Sequence, residues 1–164
     1  MKTLRQGMPV ALLMVLVCLK FAFGKTYTSA QPGQARDFGV GAILGSPTGF
    51  SLKYWLTDTT AVDGAFAWHF GDHNRFQFHA DHLWHIRLPE VNVPDGRLPF
   101  YVGAGLRVIS GPDAEAGVRI PLGLSYLLSK APLEFFAEIV PVIDFAPDTE
   151  ADLDGGIGVR YYFR

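Results

Sequence analysis

Cysteine, charge and long apolar runs are all scarce in this sequence of 164 residues. Its one cysteine, Cys18, lies inside the N-terminal apolar stretch, so the rest of the chain has no thiol for a disulfide or a cysteine-based metal site. Charged residues make up only 18%, and the formal net charge of −2 shows no basic excess. We therefore expect no nucleic-acid binding, because the sequence provides no electrostatic basis for it.

The one long apolar run opens the chain and has the three parts of a secretory signal. Basic residues start it, residues 8–23 are apolar apart from Lys20, and small residues stand at positions 22 and 24. The run is shorter than the ~20 residues that a membrane-spanning helix requires. We predict a cleaved signal peptide over 1–24, with an alternative cut after residue 30, and then an N-terminal segment over 25–37.

From residue 38 onward the sequence repeats short alternating segments that are separated by turn residues such as Gly, Pro, Asp and Ser. β-branched residues, aromatic residues and glycine dominate these segments, and a helical period fits them poorly, which favours strands. Eight strands are predicted, at residues 38–45, 50–56, 62–70, 76–86, 100–109, 118–128, 133–145 and 155–163.

Each predicted strand carries an apolar face and a polar face. In the seventh strand, for example, Phe135 and Ile139 share one face, while Glu134 and Glu138 share the other. The polar faces combine glycines with charges of both signs, and the charged set is Lys53, Asp63, Asp81, Arg107, Arg119, Glu134, Glu138, Asp144 and Arg160.

The number of large apolar side chains predicts which face points inward. An eight-stranded barrel is only just wide enough to be filled by side chains, and roughly 25 large apolar residues would overfill it. We therefore predict an all-β fold: a closed up-and-down antiparallel transmembrane β-barrel of about eight strands over 38–164, with its apolar faces in lipid. The charged set would then form a structural network in the barrel interior, because buried charges must be paired.

The alternation can be extended across the hairpins to suggest partners and interfaces. It places Lys53 near Asp63, Arg160 near Glu138, and Arg119 near Asp144. Aromatic residues cluster near both ends of the strands, as two membrane interfaces would require. One cluster is Trp68, Phe70, Phe76 and Phe78, and the other is Trp84, Tyr126, Phe135, Tyr161 and Phe163.

The end of the chain is the most specific motif. Gly158, Tyr161 and Phe163 have the spacing at which small outer-membrane barrels end, and over 38–164 the sequence resembles those of the OmpA transmembrane-domain and OmpW-like kind. The resemblance implies that these three residues are a C-terminal signal read by the barrel-insertion machinery. Arg164 departs from the pattern, because the aromatic residue is usually the last. The resemblance also implies export to the periplasm, then residence in outer-membrane lipid.

All five histidines lie between His69 and His85, which invites a metal-site interpretation. On a strand, however, His79 and His85 point to one face and His82 to the other, and no spacing typical of zinc ligation is present. We expect interior hydrogen bonding or interface positions for them, and neither a metal nor another cofactor. The longest connection, 87–99, is apolar and rich in proline, and we hypothesise that it docks against the rim of the barrel.

No motif assigns an activity, so the predicted function is an integral outer-membrane protein of structural or interaction type, monomeric and not an enzyme. One alternative is a lipid-A-modifying barrel enzyme, although no His-x-Ser spacing precedes Ser51, Ser110, Ser125 or Ser129. Another is a soluble periplasmic lipocalin-like carrier of an apolar ligand, although the N-terminal Gly-x-Trp element is missing. A porin role is not expected, because eight strands leave no open channel.

Overall fold

The computed structural model describes residues 38–69, 75–86, 93, 95–111 and 114–163, except for the side chains of residues 68 and 69. The predicted signal peptide over 1–24, the segment 25–37, Phe70 and Arg164 lie outside the described residues, as do the side chains of Trp68 and His69. Among the described residues, no helix is long and apolar enough to cross a membrane.

The described chain forms ten antiparallel strands. Their bounds are β1 Phe38–Ser46, β2 Gly49–Trp55, β3 Thr60–His69, β4 Arg75–Ile86, β5 Gly96–Arg97, β6 Phe100–Ser110, β7 Glu115–Arg119, β8 Leu122–Leu128, β9 Leu133–Ala146 and β10 Glu150–Phe163.

These strands close into a barrel of eight. The first five strands of the ring pair in the order β1–β2–β3–β4–β6. Both β7 and β8 lie between β6 and β9 and pair with each of them. The ring closes because β10 pairs with β9 on one side and with β1 on the other. β7 and β8 therefore occupy one position in the ring. The predicted fold class, a closed up-and-down antiparallel barrel of eight strands, is confirmed. The end at which Phe38 pairs with Phe163 is called the terminal end below, and the opposite end the far end.

The interruption between β7 and β8 has a local cause. Pro121 has no backbone N–H, so it cannot donate to the ladder. The chain around it stays in place through two other bonds: Gly103 donates its N–H to the Pro121 carbonyl at 2.8 Å, and Ile120 donates to the Pro141 carbonyl at 3.0 Å. The predicted single strand over 118–128 is thus two strands in one line.

Two predicted connections are shorter than expected. Residues 146–154 were predicted as a loop, but β9 continues to Ala146 and β10 begins at Glu150. The acidic residues there had indicated a turn, whereas Asp152 and Asp154 occupy alternate strand positions and bind Arg107. In the connection 87–99, the described part includes β5, which adds to β8 at the terminal end by pairing Gly96 with Leu128.

The two faces of the barrel wall have opposite chemistry. Side chains such as Phe66, Leu122 and Ile139 are 42%, 38% and 60% exposed, and they point away from the barrel axis. Aromatic residues on this outer surface include Trp84, Phe135, Tyr161 and Phe163 near the terminal end. The buried side chains of the described residues include fifteen polar or charged ones, so the interior is the more polar side.

Glycines on the inner face make room for the large interior side chains. Tyr101 lies directly opposite Gly123, Phe136 opposite Gly158, and Tyr162 opposite Gly39. A Cβ atom added at any of these glycines would lie less than 3.0 Å from the ring of its partner, which is closer than van der Waals contact allows. Three more pairs place a larger inner-face residue directly opposite a glycine: Asp81 and Gly105, Asp144 and Gly117, and Leu83 and Gly103. Interior glycines thus set which large residue fits where.

We predict that Gly123→Ala destabilises the barrel by about 1–3 kcal/mol, because its methyl group overpacks against the Tyr101 ring and hydroxyl. The matched control is Gly111→Ala, where the added Cβ meets only the flexible stem of Arg75 at 3.3 Å, and a change within about 0.5 kcal/mol is expected. Urea unfolding of the refolded barrel in lipid vesicles measures both. Equal loss in the two variants would contradict this packing scheme.

Candidate functional site: the ion-paired barrel interior

The nine charged residues predicted for the interior are all buried. Their exposure ranges from 0% for Arg119 and Glu134 to 8% for Glu138. Each lies on the inner face of its strand because side chains alternate across a strand with a period of two. The interior network, as this set and its partners are called below, has three clusters and runs from the terminal end to the far end.

The first cluster surrounds Lys53 near the terminal end. The Lys53 ammonium donates to Glu134 Oε1 at 2.7 Å and lies 3.0 Å from His85 Nε2. It also lies over the Trp55 ring, 4.5 Å from the ring centre. Cation–π contact and ion pairing together compensate an ammonium that has lost its hydration. Because Lys53 is on β2 and Glu134 on β9, this pair spans the lumen.

Glu134 is the acceptor that holds the first cluster together. Its Oε1 also accepts the Ser125 hydroxyl at 2.5 Å, and its Oε2 accepts the Tyr162 hydroxyl. Tyr162 in turn accepts the indole N–H of Trp55 at 3.1 Å. A buried carboxylate with several donors is far less costly than one with none. The cluster therefore closes the terminal end with a connected set of polar groups.

The second cluster holds two facing carboxylates at mid-barrel. Asp63 and Asp81 are directly opposite each other on β3 and β4, where like charges repel. Arg160 binds Asp63 Oδ2 at 2.8 Å, and Arg119 Nε lies 3.0 Å from Asp81 Oδ2. Each aspartate thus has its own guanidinium, and the pair of arginines makes the juxtaposition tolerable.

The two arginines of the second cluster have further partners. Arg160 donates to Ser51 at 2.9 Å, lies 3.5 Å from Glu134, and stacks over Phe136 at 3.8 Å. Arg119 reaches Glu138 at 3.5 Å, and Glu138 also accepts the Tyr101 hydroxyl at 2.8 Å. Through these residues side-chain contacts connect β2, β6, β7, β9 and β10.

The third cluster lies toward the far end and has one cation for three carboxylates. Arg107 binds Asp144 at 2.5 Å, Asp154 at 2.9 Å and Asp152 at 3.0 Å. Asp144 and Asp154 are buried, whereas the Asp152 side chain is 52% exposed. Asp154 also accepts the Ser46 hydroxyl at 2.7 Å, which ties the hairpin end of β1 to β10.

The partners within the network differ from those that the sequence suggested. Arg160 pairs with Asp63 and Glu134 rather than with Glu138, and Arg119 pairs with Asp81 and Glu138 rather than with Asp144. Lys53 lies opposite Asp63 in register but forms its ion pair with Glu134. Those suggestions considered neighbouring strands, whereas long side chains in a narrow barrel reach strands two or three places away.

Sequence reasoning missed Tyr101, Tyr162 and Asp154 as members of the network. The two tyrosines were not assigned to either face, and Asp154 was placed in a loop. Tyr162 and Asp154 could have been found, because both lie an even number of residues from Arg160 and therefore share its face of the strand. The missing information was that β10 starts at Glu150.

The three histidines whose side chains are described lie on both faces of β4. His79 and His85 are buried on the inner face of β4, and His82 lies on the outer face with its ring 4.6 Å from that of Trp84. The residues described here contain no group of three His, Cys, Asp or Glu side chains placed to hold a metal ion.

No protein family and no curated protein matches the sequence. Among solved structures, the chain is similar to the N-terminal β-barrel domain of OprF from Pseudomonas aeruginosa, with 18% identity over 77% of this chain and 95% of that chain and a TM-score of 0.58. The fold is that of a small outer-membrane barrel. Ail of Yersinia pestis, the attachment invasion locus protein, also matches, with 17% identity over 77% of this chain and 93% of that chain. Its TM-score is 0.39, too low to add to the argument.

We predict that Arg160→Met destabilises the barrel by about 3–5 kcal/mol, because it leaves the buried Asp63 carboxylate without its cation. The control is Arg75→Met at the far end, where the pair with Glu115 is 44% and 30% exposed, and a loss below about 1 kcal/mol is expected. Urea unfolding of both variants in the same vesicles gives the comparison. A wild-type midpoint for Arg160→Met would show that the network does not contribute to stability.

Proposed function

We propose that this chain is an integral outer-membrane protein whose filled barrel serves a structural or interaction role. The observation that supports this most directly is the reversed distribution of side chains. The outer surface carries large apolar residues such as Phe50 and Ile157, at 69% and 62% exposure, while ionised groups such as Arg119 are enclosed. In water such a surface would drive aggregation, whereas in a bilayer it is the stable arrangement.

A channel function has little support from the interior. Arg119, Arg160, Tyr101 and Tyr162 have at most 2% exposure, so four of the largest side chains are packed inside the barrel. Opening a path for ions would break several lumen-spanning ion pairs at once. The barrel is therefore proposed as a membrane anchor or scaffold and not as a porin.

The two alternative functions each lack a required element in the described residues. A lipid-A-modifying enzyme of the serine type needs a hydroxyl activated by histidine, but Ser51 bonds Arg160 and Ser125 bonds Glu134. A lipocalin-like carrier needs an apolar cavity inside the barrel, and here the centre is filled by ion pairs. Both observations favour the structural or interaction role.

The two aromatic residues of the proposed insertion signal are exposed where a receptor could bind them. Tyr161 and Phe163 lie on the outer face of β10 at the terminal end, with 48% and 53% exposure, and their rings meet edge to face at 5.1 Å. Gly158 lies beneath the Phe136 ring on the inner face. The partners proposed are accordingly the export and barrel-insertion machinery and outer-membrane lipid, with the barrel itself monomeric.

We expect cell fractionation to recover the protein in the outer-membrane pellet and to require detergent for its release. Unboiled samples should migrate differently from boiled ones on electrophoresis, because the closed barrel resists denaturant until heated. Reconstituted vesicles should show no ion conductance above the protein-free background. Recovery in the soluble fraction after lysis would overturn the proposal, and steady conductance would overturn its non-porin part.

We further expect Phe163→Ala to lower the fraction of folded barrel in cells severalfold, because it removes the aromatic side chain of the proposed signal. Phe145→Ala is the control, since Phe145 is equally exposed, at 54%, on the outer face near the far end. Both variants should refold with similar yield in vesicles without the machinery. If they fold equally well in cells, Phe163 is not part of a signal.

A further inference from the structure

The start of β10 extends beyond the strand that pairs with it. Pairing between β10 and β1 stops at Gly155 and Ser46, whereas β10 begins at Glu150. Glu150–Asp154 therefore pairs with β9 on one side, and no described strand lies on the other. Barrel closure requires staggered strands. Because β1 ends at Ser46, the staggered β10 extends past the β1–β2 hairpin at the far end. The free edge of β10, as this segment is called below, spans about 16 Å at ~3.3 Å per residue.

The backbone groups on this edge point away from the barrel ladder. Tyr162 donates its N–H to Pro132 on the β9 side, so the even-numbered residues of β10 face β9 and the odd-numbered ones face the opposite direction. Ala151 and Leu153 consequently direct their N–H and C=O groups to the free edge. The Leu153 N–H is bonded at 2.8 Å to the carboxylate of Asp152, its own neighbour in sequence. A side chain has thus taken the place of a strand partner.

The apolar and the acidic side chains of the free edge lie on opposite faces of the strand. Leu153, 65% exposed, and Ala151 lie on the outer face, whereas Glu150 and Asp152 lie on the inner face with Asp154. Arg107 already serves Asp144, Asp152 and Asp154, so this corner of the interior network has an excess of negative charge. A ligand strand would meet carboxylates on one face and aliphatic groups on the other.

We propose that the free edge binds an extended segment of a partner protein by strand addition, with basic and apolar residues alternating along that segment. The main chain of the segment would pair with Ala151 and would replace the Asp152 carboxylate as the partner of the Leu153 N–H. Its Lys or Arg residues would face Glu150 and Asp152, where Arg107 alone serves three carboxylates, and its apolar residues would extend the outer face. A second copy of this chain fits poorly, because two such edges would place carboxylates against carboxylates. This proposal uses the folded barrel alone and does not depend on where in the cell the barrel resides.

The test uses the refolded barrel in detergent micelles and a fluorescent peptide of sequence Lys-Val-Lys-Val-Lys, followed by anisotropy at physiological salt. We expect saturable binding. The same peptide with an N-methylated backbone keeps its charge but cannot donate to the edge, and it should bind at least about tenfold more weakly. Equal binding of the two peptides would show simple charge attraction and overturn strand addition, and so would the absence of saturable binding.

Variants of the barrel locate the site. Ala151→Pro removes an edge N–H that takes no part in the β9 ladder, and it should weaken binding about tenfold. Glu150→Gln should weaken binding about two- to fivefold, more than Asp148→Asn, which removes the same charge from the adjacent hairpin connection. Heat-shifted migration checks that each variant is folded. If Glu150→Gln and Asp148→Asn have equal effects, or if the barrel alone sediments as a dimer that Ala151→Pro abolishes, the proposed partner is wrong.

Discussion

The enclosure of ionised side chains is the constraint on which this structure depends. A charge moved from water into a low-dielectric interior loses several kcal/mol of solvation after relaxation, and only close, well-bonded counter-charges compensate that loss. The interior network supplies them in pairs that join strands far apart in the ring, such as Lys53 on β2 with Glu134 on β9. The same contacts that neutralise the charges therefore brace the wall across the lumen.

Packing imposes a second requirement on the same small space. Eight strands enclose a lumen that side chains must fill without voids or overlap. The solution here is local: a large residue on one strand faces a glycine on the next, as Tyr101 faces Gly123. The large side chain can then lie flat against the neighbouring backbone and extend its polar end into the network, as the Tyr101 hydroxyl does toward Glu138. Interior glycines thus provide the space in which large side chains reach the charged network and fill the barrel.

The comparison with known structures bears on the fold and leaves activity open. A chain 18% identical to the OprF barrel domain can share its architecture without sharing its activity. What this chain does is therefore argued from its own residues. The filled lumen supports an anchoring or interaction role, and the free edge of β10 is a stretch of the described wall that has a strand on one side and not on the other.

Much of the architecture could be read from period-two alternation, because that period alone assigns each side chain to one face of the wall. It located the eight strand positions and put Lys53, Asp63 and Arg160 on the side that the structure encloses. It could not give their partners, since these depend on how the strands are staggered and on how far a long side chain reaches across a closed ring. The ion pair of Arg160 with Asp63 joins residues 97 positions apart on β10 and β3.

The sequence by itself thus determined which residues are enclosed and which meet the surroundings, because alternation and the excess of large apolar side chains permit only one orientation of the wall. Tertiary structure alone decided which charged residues form ion pairs, where Pro121 interrupts a strand, and that β10 starts at Glu150. Acidic residues such as Asp152 and Asp154 look like turn residues in the sequence. They become strand residues because Arg107, on a strand three places away, is held where it can bind them both.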